Sequence, residues 1–150
     1  QEVRIMFKKI LVPVDGSETA WRALNNALEI GKKFESEILV VNVIQPYNNA
    51  ALLAVPLDHA TINQGNSELE KVGDKVLELA KEMVGSYPHK VEYDMEVGHP
   101  SERIIALSKK VEADAIVLGS RGLSGIAEFF LGSVSSKVSQ YATVPVLIVK

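Results

Sequence analysis

Four short apolar runs divide the chain, and β-branched residues are frequent in all of them. None alternates cleanly with polar residues, which is the pattern of strands that are buried on both faces of a parallel sheet. We therefore predict strands within residues 10–14, 38–44, 115–118 and 144–149.

A fifth segment alternates instead. Val91, Tyr93, Met95 and Val97 are apolar, and each position between them carries an acidic residue. A period of two predicts a strand with one face exposed to solvent. In a parallel sheet, such a strand is best placed at an edge.

The segments between these strands carry apolar residues at helical spacing, which predicts helices. The first helix is predicted to follow Ser17, a favoured N-cap residue, and the third to begin near Pro100, which suits a first helical turn. The four predicted apolar stripes are Ala20, Leu24, Ala27, Leu28 and Gly31; Leu69, Val72, Val76, Leu79, Ala80 and Met83; Ile104, Leu107, Ser108 and Val111; and Val134, Val138 and Tyr141.

This alternation predicts the α/β class, as a single doubly wound domain with helices on both faces of a parallel sheet. With the alternating strand at an edge, the five strands take the order 3-2-1-4-5. The domain is predicted to span residues 6–150, and residues 1–5 to be a leader or tail. Residues 45–66 fit no element and are predicted to be a loop, either a binding segment or a plain surface excursion.

Composition narrows the functional classes. A chain of 150 residues with 47% hydrophobic and 23% charged residues is typical of one globular domain. A formal net charge of −3 argues against a protein that coats nucleic acid. The absence of cysteine excludes disulfides and thiolate metal sites. Because no apolar segment typical of a secretory signal lies near the start of the sequence, we expect a cytoplasmic protein. No apolar run reaches the roughly 18 residues of a membrane-spanning helix.

A glycine-rich segment follows the fourth predicted strand, with Gly119-Ser120-Arg121-Gly122, nine further residues and then Gly132-Ser133. Glycines let the backbone approach a ligand and adopt positive φ, and N–H groups at a helix start bind phosphate. Ser133, Ser135 and Ser136 would add hydroxyl donors, and Arg121 either meets the phosphates or is solvated. The alternative is that these glycines only form turns. Neither the P-loop motif nor the dinucleotide fingerprint is present.

The segment Pro13-Val14-Asp15-Gly16-Ser17 ends the first predicted strand. In the predicted strand order, the reversal between strands one and four places Asp15 beside the glycine-rich segment, where such sheets bind ligands. Asp15 could accept a hydrogen bond from a base or sugar, or help to hold a metal. The alternative is that Asp15 or Ser17 simply caps the first helix.

Both segments resemble the universal stress protein family. Residues 9–17 resemble its first strand and turn, and residues 144–149 resemble its last strand. The spacing Gly119-x-x-Gly122-x9-Gly132-Ser133 is similar to the signature of its ATP-binding branch. The resemblance extends over nearly the whole chain, from Met6 to Lys150.

The resemblance implies an adenine-nucleotide alpha hydrolase-like fold that binds ATP, with a divalent cation, Mg²⁺, bridging the phosphates. It implies that one group of residues contacts adenine and ribose and that a second group holds the phosphates. The first comprises Pro13, Val14, Asp15, Val43, Leu118 and Gly119, and the second Gly122, Gly132, Ser133, Val134 and Ser135. Two departures from the family pattern are Asn42, where relatives often have histidine, and the extra glycine Gly125.

The last predicted strand is an apolar edge, which pairing with a second copy would cover. The family resemblance implies the same homodimer, through Val144, Val146, Leu147, Ile148 and Val149. The alternative is that the chain's own helices cover this strand.

The family resemblance, together with these features, implies a cytosolic homodimer in which ATP is a regulatory ligand in stress response or signalling. A slow ATPase or nucleotide-modifying enzyme, and a nucleotide-free structural dimerisation module, stay open on the same fold. No catalytic residue is predicted, because Asp15 is badly placed to activate water at a γ-phosphate. No metal ligand is predicted either, because His59, His89 and His99 lie in separate segments.

Overall fold

The computed structural model describes residues 6–46, 58–122 and 131–150. The strands are β1 (Lys9–Pro13), β2 (Glu37–Ile44), β3 (Val91–Val97), β4 (Ala115–Gly119) and β5 (Val146–Val149), and the helices are α1 (Glu18–Phe34), α2 (His59–Val84), α3 (Pro100–Lys110) and α4 (Ser133–Tyr141). All neighbouring strands are parallel, in the order β3-β2-β1-β4-β5. The predicted fold class and strand order are confirmed.

The sheet separates two apolar cores, because successive side chains of a strand point to opposite faces. Ile10 and Val40 belong to a core that also contains side chains of α1 and α2. Leu11 and Val41 belong to the other, with side chains of α3 and α4. Helices on both faces explain why the central strands are apolar throughout.

The beginning of α2 corrects the predicted loop at residues 45–66. The helix starts at His59, because Asp58 caps it by accepting the Thr61 N–H at 2.7 Å. Hydrogen bonds from Thr61 also lower the pKa of Asp58. The first turns of α2 contain few buried apolar residues, so hydrophobic periodicity did not reveal them. Residues 47–57, also part of that prediction, lie outside the described residues.

The predicted core stripe of α2 is partly wrong. Val72 is 59% exposed and Leu79 is 38% exposed, whereas Gly73 and Leu77 are buried. The reason is the close packing at Gly73, where an added Cβ would lie 2.7 Å from Asn42 Oδ1. The helix therefore turns Gly73, rather than Val72, toward β2.

Two strand positions are corrected as well. Val97 ends β3 with 57% of its surface exposed and lies outside both apolar cores. β5 begins at Val146 rather than at Val144, because Pro145 has no N–H to donate to the sheet. The Pro145 carbonyl still accepts the Ile116 N–H at 2.9 Å.

Tyr87 ties the segment after α2 to the start of β2. Its hydroxyl donates to the Ser36 carbonyl at 2.7 Å, and burial raises its pKa. A Cβ at Gly31 would lie 2.1 Å from Tyr87 Oη, so α1 needs a glycine where the ring packs. This contact links α1, β2 and the connection into β3.

We predict that Tyr87→Phe lowers the free energy of unfolding by about 1 kcal/mol, the usual net value of one hydrogen bond. Denaturant unfolding measures this change. Tyr141→Phe is the matched control, because Tyr141 is 61% exposed at the end of α4. Equal effects of the two substitutions would contradict the assigned role of Tyr87.

Candidate functional site

A cleft of about 150 Å³ opens beyond the carboxyl ends of β1 and β4, where the strand order reverses. Open α/β sheets bind ligands at this point. Ser136, predicted as a hydroxyl donor, is not among the residues that line this cleft, whereas twelve other predicted site residues line it: Pro13, Val14, Asp15, Val43, Leu118, Gly119, Arg121, Gly122, Gly132, Ser133, Val134 and Ser135. The structure thus brings together residues that the sequence separates widely.

Several lining residues were missed from the sequence. Val41 in β2 and Pro100 and Ile104 in α3 extend the apolar part of the wall, while Ser17 and Ala20 come from the start of α1. Strand order alone indicates the last two, since α1 starts beside the reversal point. Nothing in the sequence indicated that residues of α3 line the cleft, apart from the position of its first turn.

Asp15 lies in the turn by which the chain leaves β1. Its Oδ1 accepts the Ser17 N–H at 2.9 Å, and Ser17 Oγ in turn accepts the Ala20 N–H at 3.3 Å. Ser17 is therefore the N-cap of α1, and Gly16 completes the turn with a φ of 91°. The second carboxylate oxygen, Asp15 Oδ2, would lie 2.9 Å from a Cβ at Gly122. Asp15 thus shapes the turn with one oxygen and faces the glycine-rich segment with the other.

The first turn of α1 holds the segment after β4. Thr19 Oγ1 donates to the Arg121 carbonyl at 2.6 Å, and Ser17 Oγ donates to the same carbonyl at 3.4 Å. A Cβ at Gly119 would lie 2.5 Å from Thr19 Oγ1 and 2.7 Å from the Thr19 carbonyl carbon. Glycine is required here because β4 and the α1 backbone approach too closely for any side chain.

The first turn of α4 forms the opposite side of the cleft. Gly132 is its N-cap and has no side chain that could accept a first-turn N–H. The N–H groups of Ser133 and Val134 therefore lack an intrahelical acceptor where they line the cleft. Together with the helix dipole, they give this end of the cleft a partial positive charge.

Two expectations about the glycine-rich segment are corrected. Gly119, Gly122 and Gly132 do not adopt positive φ, so they serve close approach rather than unusual backbone conformation. The Ser135 hydroxyl is buried and donates to the Ser120 carbonyl at 2.8 Å. Because Gly132 N–H donates to that same carbonyl at 2.7 Å, Ser135 braces the segment from within.

Charged side chains are few in the cleft. Among the described residues that line it, only Asp15 and Arg121 carry charge. The described part of the chain contains no group of three or more His, Asp or Glu residues that could hold a metal ion. It also contains no helix with the length and apolar character needed to cross a membrane. The positive potential at this site comes from the Arg121 side chain and from the helix starts.

Comparison with known proteins identifies the family. The model of the universal stress protein family matches residues 6–150. The chain belongs to this family. Universal stress protein YxiE of Bacillus subtilis is 37% identical over 150 residues, which cover 97% of this chain and 100% of that relative.

Solved structures of universal stress proteins have the same fold. That of MJ0577, from Methanocaldococcus jannaschii, has a TM-score of 0.82 at 29% identity and covers 97% of both chains. That of an Archaeoglobus fulgidus protein in complex with dAMP has a TM-score of 0.70 at 22% identity. It covers 98% of this chain and 100% of the other.

We predict that Gly119→Ala lowers the free energy of unfolding by about 1–3 kcal/mol, because the methyl group would overlap the Thr19 backbone. Gly122→Ala is the matched control, since within the described part of the chain its Cβ would meet only the Asp15 side chain. We expect that control to change stability by less than about 0.5 kcal/mol. Denaturant unfolding of both variants measures the difference, and similar values would contradict the close approach of α1 to β4.

Proposed function

We propose that this universal stress protein binds an adenine nucleotide in the cleft, specifically ATP with Mg²⁺, and uses it as a regulatory ligand in stress response or signalling. One observation carries the proposal. The uncapped first turn of α4 and an apolar wall from β2 and α3 line the same cleft. Such a site suits a ligand with an anionic end and a flat apolar end.

The two ends of the cleft suit different parts of a nucleotide. Val41, Val43 and Ile104 offer apolar surface for a base, and Asp15 offers a carboxylate oxygen for ribose hydroxyls. Ser133 and Val134 offer backbone N–H groups for phosphate oxygens. The dAMP complex of the Archaeoglobus fulgidus protein supports the proposal, because an adenine nucleotide is bound there to a protein of the same fold.

Mg²⁺ fits this cleft if it is bound mainly by the nucleotide phosphates rather than by protein side chains. Mg²⁺ is commonly bound by one or two carboxylates, several waters and substrate phosphates. Asp15 is the carboxylate that the described lining residues provide, and one of its oxygens is already engaged by Ser17. Phosphate oxygens and waters would therefore supply most of the Mg²⁺ ligands, and the ion would neutralise part of the phosphate charge.

We further propose a homodimer formed through β5. β5 is an edge strand of the sheet that the described residues form, so one side of its backbone has no neighbouring strand among them. Leu147 in its centre is 44% exposed, although it is apolar. Pairing with the β5 of a second copy about a two-fold axis would satisfy that backbone and bury Leu147. The cytoplasmic location stays a prediction from the sequence.

A slow ATPase is the second candidate function. Asp15 is the cleft's carboxylate among the described residues, and its Oδ1 accepts the Ser17 N–H on the side proposed for ribose. That position favours binding over water activation at the far phosphate. Phosphate release above the level of a binding-deficient variant would favour the enzyme. Absence of any nucleotide effect on thermal stability would favour a purely structural dimerisation module.

We predict that Ser133→Asp weakens Mg-ATP binding by about tenfold or more, because the carboxylate would oppose the phosphates. The same carboxylate stabilises a helix N-terminus, so the unfolding midpoint should not fall. Titration calorimetry and thermal unfolding measure the two effects. Ser139→Asp, which adds the same charge in the last turn of α4, is the control. Unchanged affinity in Ser133→Asp would contradict the phosphate assignment.

We predict that Leu147→Lys converts the dimer to a monomer, because it places a charge in the proposed β5–β5 interface. Sedimentation equilibrium at micromolar concentration measures the mass. Val72→Lys is the matched control, since Val72 is an apolar residue on α2 that is even more exposed than Leu147. A single-chain mass for the unsubstituted protein would overturn the dimer.

A further inference from the structure

Asn42 holds β1 at the point where the chain leaves the sheet. The β1–β2 register ends with Pro13 opposite Val41, and the Val14 N–H donates to the Val41 carbonyl at 2.8 Å. The Val14 carbonyl accepts a hydrogen bond from Asn42 Nδ2 at 2.9 Å. The Asn42 side chain thus extends the contact between the two strands by one residue, and Asn42 is only 7% exposed.

Helix α2 packs against both this amide and the turn beyond it. A Cβ at Gly73 would lie 2.7 Å from Asn42 Oδ1, so Gly73 leaves only just enough space for the amide. A Cβ at Gly16 would lie 3.4 Å from Val76 Cγ2. Asn42 is therefore confined on the side opposite its hydrogen bond, and the amide has little freedom to turn away from Val14.

We propose that Asn42 is a positioning residue of the nucleotide cleft. By holding the Val14 carbonyl, it sets the place of Asp15 and of the wall that would contact adenine and ribose. The first turn of α4 is braced separately, through the Ser120 carbonyl, so Asn42 acts on the base end and leaves the phosphate end unchanged. This inference rests on the proposed function.

The test compares Asn42→Asp and Asn42→Leu in the full chain. Aspartate loses the donor and turns a carboxylate oxygen toward the Val14 carbonyl, whereas leucine loses the donor without adding charge. Asn26→Asp is the matched control, because Asn26 is exposed on α1 and donates to the Arg22 carbonyl at 2.8 Å. Titration calorimetry with Mg-ATP, adenosine and tripolyphosphate measures the affinities.

We expect both Asn42 variants to bind Mg-ATP and adenosine about tenfold more weakly, since an unsatisfied buried carbonyl disfavours the ordered turn. Their affinity for tripolyphosphate should change by less than about twofold, as should all affinities of Asn26→Asp. Gly73→Ala should weaken adenosine binding in the same direction, because its methyl group displaces an otherwise intact Asn42 amide. Equal losses for adenosine and tripolyphosphate, or no loss, would overturn the positioning role.

Amide hydrogen exchange without nucleotide separates this inference from the proposed function. Faster exchange at Gly16 and Ser17 in Asn42→Asp, but not in Asn26→Asp, supports the hold on the turn. Unchanged exchange there overturns it. If the unsubstituted protein binds none of the three ligands, the proposed function fails, and the exchange result still decides whether Asn42 positions the turn.

Discussion

The close contact between the end of β4 and the first turn of α1 is the constraint on which the cleft depends. Gly119 lies against the backbone of Thr19, and the Thr19 hydroxyl binds the Arg121 carbonyl just beyond it. Ser120, between them, donates its N–H to Val149 in β5 and accepts from Gly132 and Ser135 at the start of α4. The residues after β4 are thus held by α1, by β5 and by α4, and this fixed centre aligns both sides of the cleft.

This arrangement reconciles a negatively charged chain with the proposed anionic ligand. The formal net charge of −3 describes side chains distributed over the whole surface. Within the cleft, the potential depends instead on Asp15, Arg121 and the N-terminal turns of α1 and α4. Backbone N–H groups can bind phosphate without a lysine, so a negative net charge is compatible with a mononucleotide site. The same net charge argues against a protein that coats nucleic acid.

Strand order was predictable because hydrophobic runs, one alternating strand and the rules for parallel crossovers leave few topologies. That order alone brings Asp15 to the segment after Gly119. The start of α2 was not predictable, since its cap at Asp58 precedes turns with few buried apolar residues. Side-chain partners were not predictable either. From the sequence, Ser135 is a hydroxyl donor for a ligand and Asn42 is a departure from a family pattern. In the fold, Ser135 donates to the Ser120 carbonyl and Asn42 donates to the Val14 carbonyl, and folding is what brings each pair together.

The central claim is that the cleft at the strand-order reversal binds an adenine nucleotide. Titration of the isotopically labelled protein with Mg-ATP, followed by amide chemical shifts, tests both binding and location. The account predicts saturable shifts concentrated in residues 14–17, 41–43, 118–122 and 132–136, with little change at β3 or at the far end of α2. The absence of saturable shifts, or their concentration away from these segments, would contradict it.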